Sequence, residues 1–215
     1  MTIRHHLSDQ LLMAYAAGTL PEAFSLVAAT HLSMCDDCRA ALAGFEAVGG
    51  AVLDATDVAP MAEDSLTAAL LRLSAPALQT ATPRITRPRG TLPAPLQDYI
   101  GGDIDRVKWR SIGLGVRQAI LQTADGNTAR LLHIPAGQSM PDHGHRGLEL
   151  TLVLQGAFAD KTDRFGPGDL EIADASLDHT PVAEARMDCI CLAATDARLR
   201  FNRLLPRLAQ PFFRI

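Results

Sequence analysis

Apolar residues recur every three or four positions over the first third of the chain, and every second position over its last half. Ser8 and Asp9 make a helix start, and Leu11, Leu12, Tyr15 and Ala16 form the stripe behind it, with Gly18 as the stop. Pro21 and Glu22 open a second helix with Phe24, Val27, Ala28 and His31 at helical spacing. A third is predicted from about Asp36 through Leu42 and Phe45 to a stop at Gly49-Gly50, and a looser fourth from Asp64 to Leu73. Between Pro76 and Pro95, five prolines, Gly90 and three arginines (Arg84, Arg87, Arg89) break every period, so a semi-rigid linker is expected there.

From about residue 98 the period is two. Val116–Leu121, Ala129–Ile134 and Leu148–Leu154 read as short strands separated by Gly, Pro, Asp and Asn turns, with Asp125-Gly126 as a hairpin signal. Strands at roughly ten-residue spacing predict a small sandwich or barrel. Leu148, Leu150, Leu152 and Leu154 lie on the face opposite Glu149, and such a leucine row requires a cover: another sheet, the helices or a second molecule. The tail, residues 201–215, is expected to pack on the barrel through its leucines and phenylalanines. The expected organisation is multi-domain α + β: helices at 1–80, a Pro-rich linker at 81–97 and a β unit at 98–215.

Composition refines this in two ways. The 47% apolar and 20% charged residues are those of an ordinary globular protein. No apolar run approaches the roughly eighteen residues of a membrane span, and no signal-peptide core is present, so a cytoplasmic protein without membrane attachment is expected. Four cysteines, two of them candidate ligands, fit a reducing compartment. Residues 1–80 hold three basic side chains against nine acidic ones, a net charge of −6. That disfavours direct nucleic-acid binding and suits a basic protein partner.

The chemistry sits in two constellations. His31-x3-Cys35-x2-Cys38 places three zinc-ligand types within about two turns, and His5 or His6 can supply a fourth. A thioredoxin-like dithiol would need a βαβ surround, which is missing. Four protein ligands leave no open position, so this zinc would be structural. It would staple short, alanine-rich helices that bury little apolar area. The second constellation is His143-x-His145-x3-Glu149 with His179 downstream. Residues two apart on a strand share a face, so His143 and His145 point together and Glu149 has the same parity. Three imidazoles and a carboxylate suit Zn, Mn, Fe or Ni. His133 lies outside the spacing and is expected to be structural. Cys189 and Cys191 share a face and read as small core residues, because same-strand neighbours make poor disulfide geometry.

Gly137-x5-His143-x-His145-x3-Glu149-x6-Gly156 resembles the first motif of the cupins, and Gly168…His179 resembles the second. His6-x24-His31-x3-Cys35-x2-Cys38 resembles the zinc-binding anti-sigma domain. Together and in this order they resemble the ChrR-type anti-sigma factors over nearly the whole chain. The resemblance implies a helical bundle stapled by zinc through His6, His31, Cys35 and Cys38, followed by a double-stranded β-helix with a second metal at His143, His145, Glu149 and His179. It implies a non-enzyme that forms a heterodimer with an extracytoplasmic-function sigma factor, mainly through residues 1–80. Release would follow singlet oxygen or organic peroxide sensed by the cupin, which would be dispensable for inhibition. Two other readings stand beside it: a dioxygenase-like cupin enzyme with a helical regulatory domain, and a structural metalloprotein that merely assembles.

Overall fold

The computed structural model describes residues 2–74, 90–124, 126–197 and 199–201. The described residues form five α-helices: α1 (Asp9–Ala16), α2 (Glu22–Leu32), α3 (Asp36–Asp54), α4 (Ser65–Ser74) and α5 (Ala94–Ile100). Ser8 caps α1, its hydroxyl accepting from Leu11 N, and Gly18 follows it at φ +66°. Cys35 caps α3, its sulfur accepting from Cys38 N at 3.4 Å. The expected stop at Gly49-Gly50 does not occur: α3 runs through both glycines to Asp54. Each costs only about 1 kcal/mol against alanine inside a helix, and the i→i−4 ladder continues past them.

The strands follow as β1 (Arg110–Gly113), β2 (Val116–Leu121), β3 (Thr128–Ile134), β4 (His143–Gly144), β5 (Glu149–Gln155) and β6 (Phe158–Ala159). After them come β7 (Arg164–Phe165), β8 (Leu170–Ala173), β9 (Asp178–His179), β10 (Val182–Ala183), β11 (Cys189–Thr195) and β12 (Arg200–Phe201). One six-stranded sheet has the order β1-β2-β3-β11-β5-β8, and two three-stranded sheets, β10-β6-β7 and β12-β4-β9, complete the unit. Every pairing is antiparallel. The turn between β2 and β3 carries Gly126 at φ +78°, while its neighbour Asp125 lies outside the described residues.

The six-stranded sheet has two buried faces. One carries Val116, Val153, Cys189 and Cys191, which pack with Phe158 and Phe165. The other carries Ala129, Leu131, Leu150, Leu152, Ile190 and Leu192, which share one core with Phe24, Val27 and Ala28 of α2. The leucine row therefore has its cover, and the cover is the helical unit. α2 packs against β3, β5 and β11, with α1, α3 and α5 around it. Eight of its eleven residues are buried and the other three, Glu22, Ser25 and Ala29, are only partly exposed, so it is a core helix.

Residues 90–97, which composition assigns to the linker, hold Leu92 and Leu96, both buried in that shared core. Pro93 there caps α5, its φ of −61° pre-set for a helix start. The rest of the Pro-rich stretch and the expected packing of the tail fall on residues outside those described.

Because Leu152 is completely buried beneath α2, Leu152→Ala is expected to destabilise the chain by about 2–5 kcal/mol in urea unfolding. A loss below about 1 kcal/mol would contradict the shared core.

Candidate metal centres

The first group gathers at the α2–α3 junction. His31, on the last turn of α2, and Cys38, one turn into α3, bring Nε2 and Sγ to 3.2 Å. His6 Nδ1 approaches Cys35 Sγ at 3.3 Å and Cys38 Sγ at 3.6 Å. One ligand atom from each of the four lies within 4.8 Å of all the others. Bonds of about 2.0 Å to nitrogen and about 2.3 Å to sulfur, set tetrahedrally, place neighbouring donors about 3.5 Å apart. The donor set fits such an ion. His5 is turned away: its ring lies against Phe165 at 4.4 Å, with Nε2 3.1 Å from Asp163.

Burial readies the imidazole for metal and works against the thiolate. It is the largest influence on His31, whose pKa falls to about 4, so the imidazole is neutral at pH 7. Its Nδ1 donates to the carbonyl of Gly168 at 3.0 Å, which leaves the Nε2 lone pair aimed at the cluster. Burial also pushes the Cys38 thiol up to about 11. A cation entering the site must displace that proton, so binding weakens as pH falls.

The second group lies inside the barrel. β4 and β9 pair with His143 directly opposite His179, and His145 follows one step on from Gly144. The three Nε2 atoms converge: His145 to His179 is 3.2 Å, and His179 to His143 is 3.2 Å. All three residues are buried. His143 Nδ1 donates to Pro141 O at 2.8 Å, which turns its Nε2 lone pair inward. Burial lowers the pKa of both His143 and His145. Converging lone pairs at this distance repel unless a cation or a proton lies between them, and bonds of about 2.1 Å give this spacing. The geometry fits a divalent ion.

Glu149 is near the three histidines but is not drawn into the same group. Its Oε2 is 3.8 Å from His145 Nδ1, and its Oε1 accepts from the Thr151 hydroxyl at 3.1 Å. Two carboxylates that sequence reasoning missed are closer to the histidines. His179 Nδ1 is 2.8 Å from Asp160 Oδ2 and 3.2 Å from Glu171 Oε1. Burial alone would lower His179, but Glu171 and Asp160 outweigh it and its pKa rises. Asp160, despite its own burial, is held down to about 2 by Thr162 and His179, while burial pushes Glu171 up. Glu171 alternates with Leu170 and Ile172 on β8, a pattern that alone would turn the carboxylate to solvent; its pairing opposite Thr151 of β5 puts it on the Glu149 face of the sheet, where it is buried. Asp160 follows β6 in a turn, outside any strand pattern.

The other candidates fall as their spacing implies. His133 Nε2 meets Asp188 at 3.1 Å and its ring packs edge-on against Trp109, away from both groups. Cys189 and Cys191 are free thiols on the barrel-facing side of β11, buried, with sulfurs 3.5 Å apart.

Residues 97–198 match the family model described as the ChrR cupin-like domain. Over all 215 residues the chain is 62% identical to the anti-sigma-E factor ChrR of Cereibacter sphaeroides, with complete coverage of both. Its structure is similar to that of ChrR in the crystal structure of Rhodobacter sphaeroides SigE in complex with the anti-sigma ChrR. The TM-score is 0.80 at 59% identity, covering 91% of this chain and 100% of that one.

The geometry separates the two adjacent histidines. His6→Ala is expected to release one metal equivalent per chain from the purified protein, and His5→Ala to retain it, as read by elemental analysis. Full metal content in the His6 variant would contradict the assignment.

Proposed function

The chain belongs to the ChrR family of anti-sigma factors, and from that membership we propose that it binds an extracytoplasmic-function sigma factor in the cytoplasm and holds it inactive. It is a regulatory binding protein, not an enzyme. The observation that carries the sigma-binding reading is an apolar surface that no described residue covers. α4 has no buried residue, yet it carries Leu66, Leu70 and Leu73 at helical spacing. The second half of α3 adds Val48, Val52 and Leu53, all more than 60% exposed. Rows of exposed leucine and valine along a helix mark a partner site. An amphipathic helix of this kind docks by laying its apolar face into a groove.

Charge supports the same partner. Acidic side chains outnumber basic ones three to one over residues 1–80. They are suited to a basic surface such as one that otherwise contacts promoter DNA. No helix among the described residues is long and apolar enough to cross a membrane. In this reading residues 1–80 make the main contact with sigma, and direct nucleic-acid binding is not part of the function.

The two histidine groups take complementary parts. His6, His31, Cys35 and Cys38 hold a structural Zn2+, which pins the segment before α1 to the junction of α2 and α3. His143, His145 and His179, with Glu149 beside them, hold a second divalent ion, Zn2+ or alternatively Mn, Fe or Ni. A bound ion would supply cross-linking charge at each place. The barrel centre serves as the sensing element for singlet oxygen or organic peroxide. A signal there frees sigma only by favouring a helical-unit conformation that binds sigma less well.

Leu66→Glu with Leu70→Glu leaves the fold unchanged, because both side chains are exposed. It is expected to weaken the one-to-one complex with the sigma factor by about thirtyfold or more, the effect of losing an interface anchor worth about 2 kcal/mol. Binding within about threefold of the native chain would place the interface elsewhere. In the sensing arm, an organic peroxide is expected to dissociate the native complex but not one formed by His143→Ala. Equal release from both would remove the barrel from the response.

A further inference from the structure

The stretch from Gly166 to Glu171, which runs from the end of β7 into β8, touches both histidine groups. Its carbonyl at Gly168 accepts the Nδ1–H of His31 at 3.0 Å, and this bond directs His31 Nε2 toward Cys38. Asp169, 4% exposed, turns Oδ1 to the backbone N–H of Arg4 at 2.6 Å and of His5 at 3.0 Å. Its Oδ2 accepts from Gly166 N at 2.8 Å, and His5 Nδ1 lies 3.4 Å from Oδ1. Leu170 N donates to His5 O at 3.2 Å, so three main-chain bonds hold the strap that ends in His6. The strap is in direct contact with the turn. A Cβ on Gly168, which has φ +87°, would lie 2.6 Å from Ile3.

His31 and the strap that leads into His6 are thus held by barrel residues, whereas both cysteines are held by their own helix junction. One residue beyond Leu170, Glu171 meets His179 of the barrel centre at 3.2 Å. The buried carboxylate of Asp169 explains why the arrangement is tight. Only one of its bonds closes the barrel turn, and without the strap the rest of its hydrogen-bonding capacity would be buried unmet.

We infer that Gly168 and Asp169 are positioning residues of the helical metal centre, and that the stretch from Gly168 to Glu171 couples its metal affinity to occupancy of the barrel centre. The inference rests on the reading that both histidine groups hold metal. Contacts that orient a ligand without touching the ion commonly change affinity by about 10–100-fold when removed. Coupling between two sites is reciprocal and commonly worth about 5–150-fold.

The test is Co2+ titration of the full chain, read through thiolate-to-cobalt charge-transfer absorption. Only the cysteine-containing centre gives that signal, and far-UV circular dichroism reports the fold alongside it. Absence of the band in the native chain would defeat the metal-site reading itself. With the band present, Asp169→Ala is expected to bind about tenfold more weakly or worse, with native dichroism. Asp169→Asn, which keeps an acceptor for Arg4 and His5, is expected to stay within about threefold of the native chain. His143→Ala is expected to lower thiolate-site affinity about fivefold or more, and to have no further effect when added to Asp169→Ala. Native affinity in Asp169→Ala overturns the positioning role, and native affinity in His143→Ala overturns the coupling. If Asp169→Ala loses its dichroism, nitrogen NMR of the native metal-loaded protein decides. His31 protonated at Nδ1, with that proton protected from exchange, is expected. Metal on Nδ1 overturns the inference.

Discussion

α2 is buried or half-buried along its whole length, and the helical histidine–cysteine group takes its place from where such a helix can be buried. Its one side lies on the leucine row of β5 and the matching residues of β3 and β11, and α1, α3 and α5 close around the rest. Alanine-rich helices of eight to eleven residues bury little area by themselves. Sharing the sheet's outer face supplies what the helical unit lacks. The same packing brings the C-terminal end of α2, and with it His31, onto the turn before β8. The helical histidine–cysteine group therefore lies at a junction between two units and not in the middle of one.

The histidines divide according to what holds their second nitrogen. His143 gives Nδ1 to a nearby carbonyl, His31 gives it to a carbonyl 137 residues away, and His179 faces two carboxylates. Each arrangement leaves Nε2 as the atom that faces its cluster, which is the requirement for an imidazole ligand. Asp160 and Glu171 differ sharply in proton affinity although both touch the same ring. Asp160 accepts three bonds from Thr162 and Asp163, whereas Glu171 Oε1 meets the His179 ring at 3.2 Å and burial is the larger influence on it. Asp160 thus keeps its charge beside His179, while burial disfavours a second full charge on Glu171.

Local signals made much of this readable in the chain. Ser8, Gly18 and Pro21 mark helix ends because caps act over one turn, and alternation along Glu149–Gln155 placed its leucines on one face. His143 and His145 are legible because parity within one strand needs no knowledge of the fold. His6 and His5 could not be separated on spacing alone, since an extended segment can present either ring. The choice is made by Phe165, Asp163 and Asp169, which capture His5 from about 160 residues away. Gly49-Gly50 misled because a glycine pair can either end a helix or be carried within one, and only the surrounding ladder decides. Leu92 and Leu96 were hidden by prolines whose usual meaning is an open linker. Asp160 and the bond from His31 to Gly168 arise from pairing between distant segments, and no local period encodes them.

In the proposed function, a metal at the α2–α3 junction holds the helical unit in the shape that binds sigma. Calorimetric titration of the sigma factor into the zinc-loaded full chain, and into the same chain stripped of metal, tests it directly. The account predicts tight one-to-one binding by the loaded chain and binding weakened by at least tenfold after stripping, restored when zinc is returned. Equal affinity in the two states would contradict it.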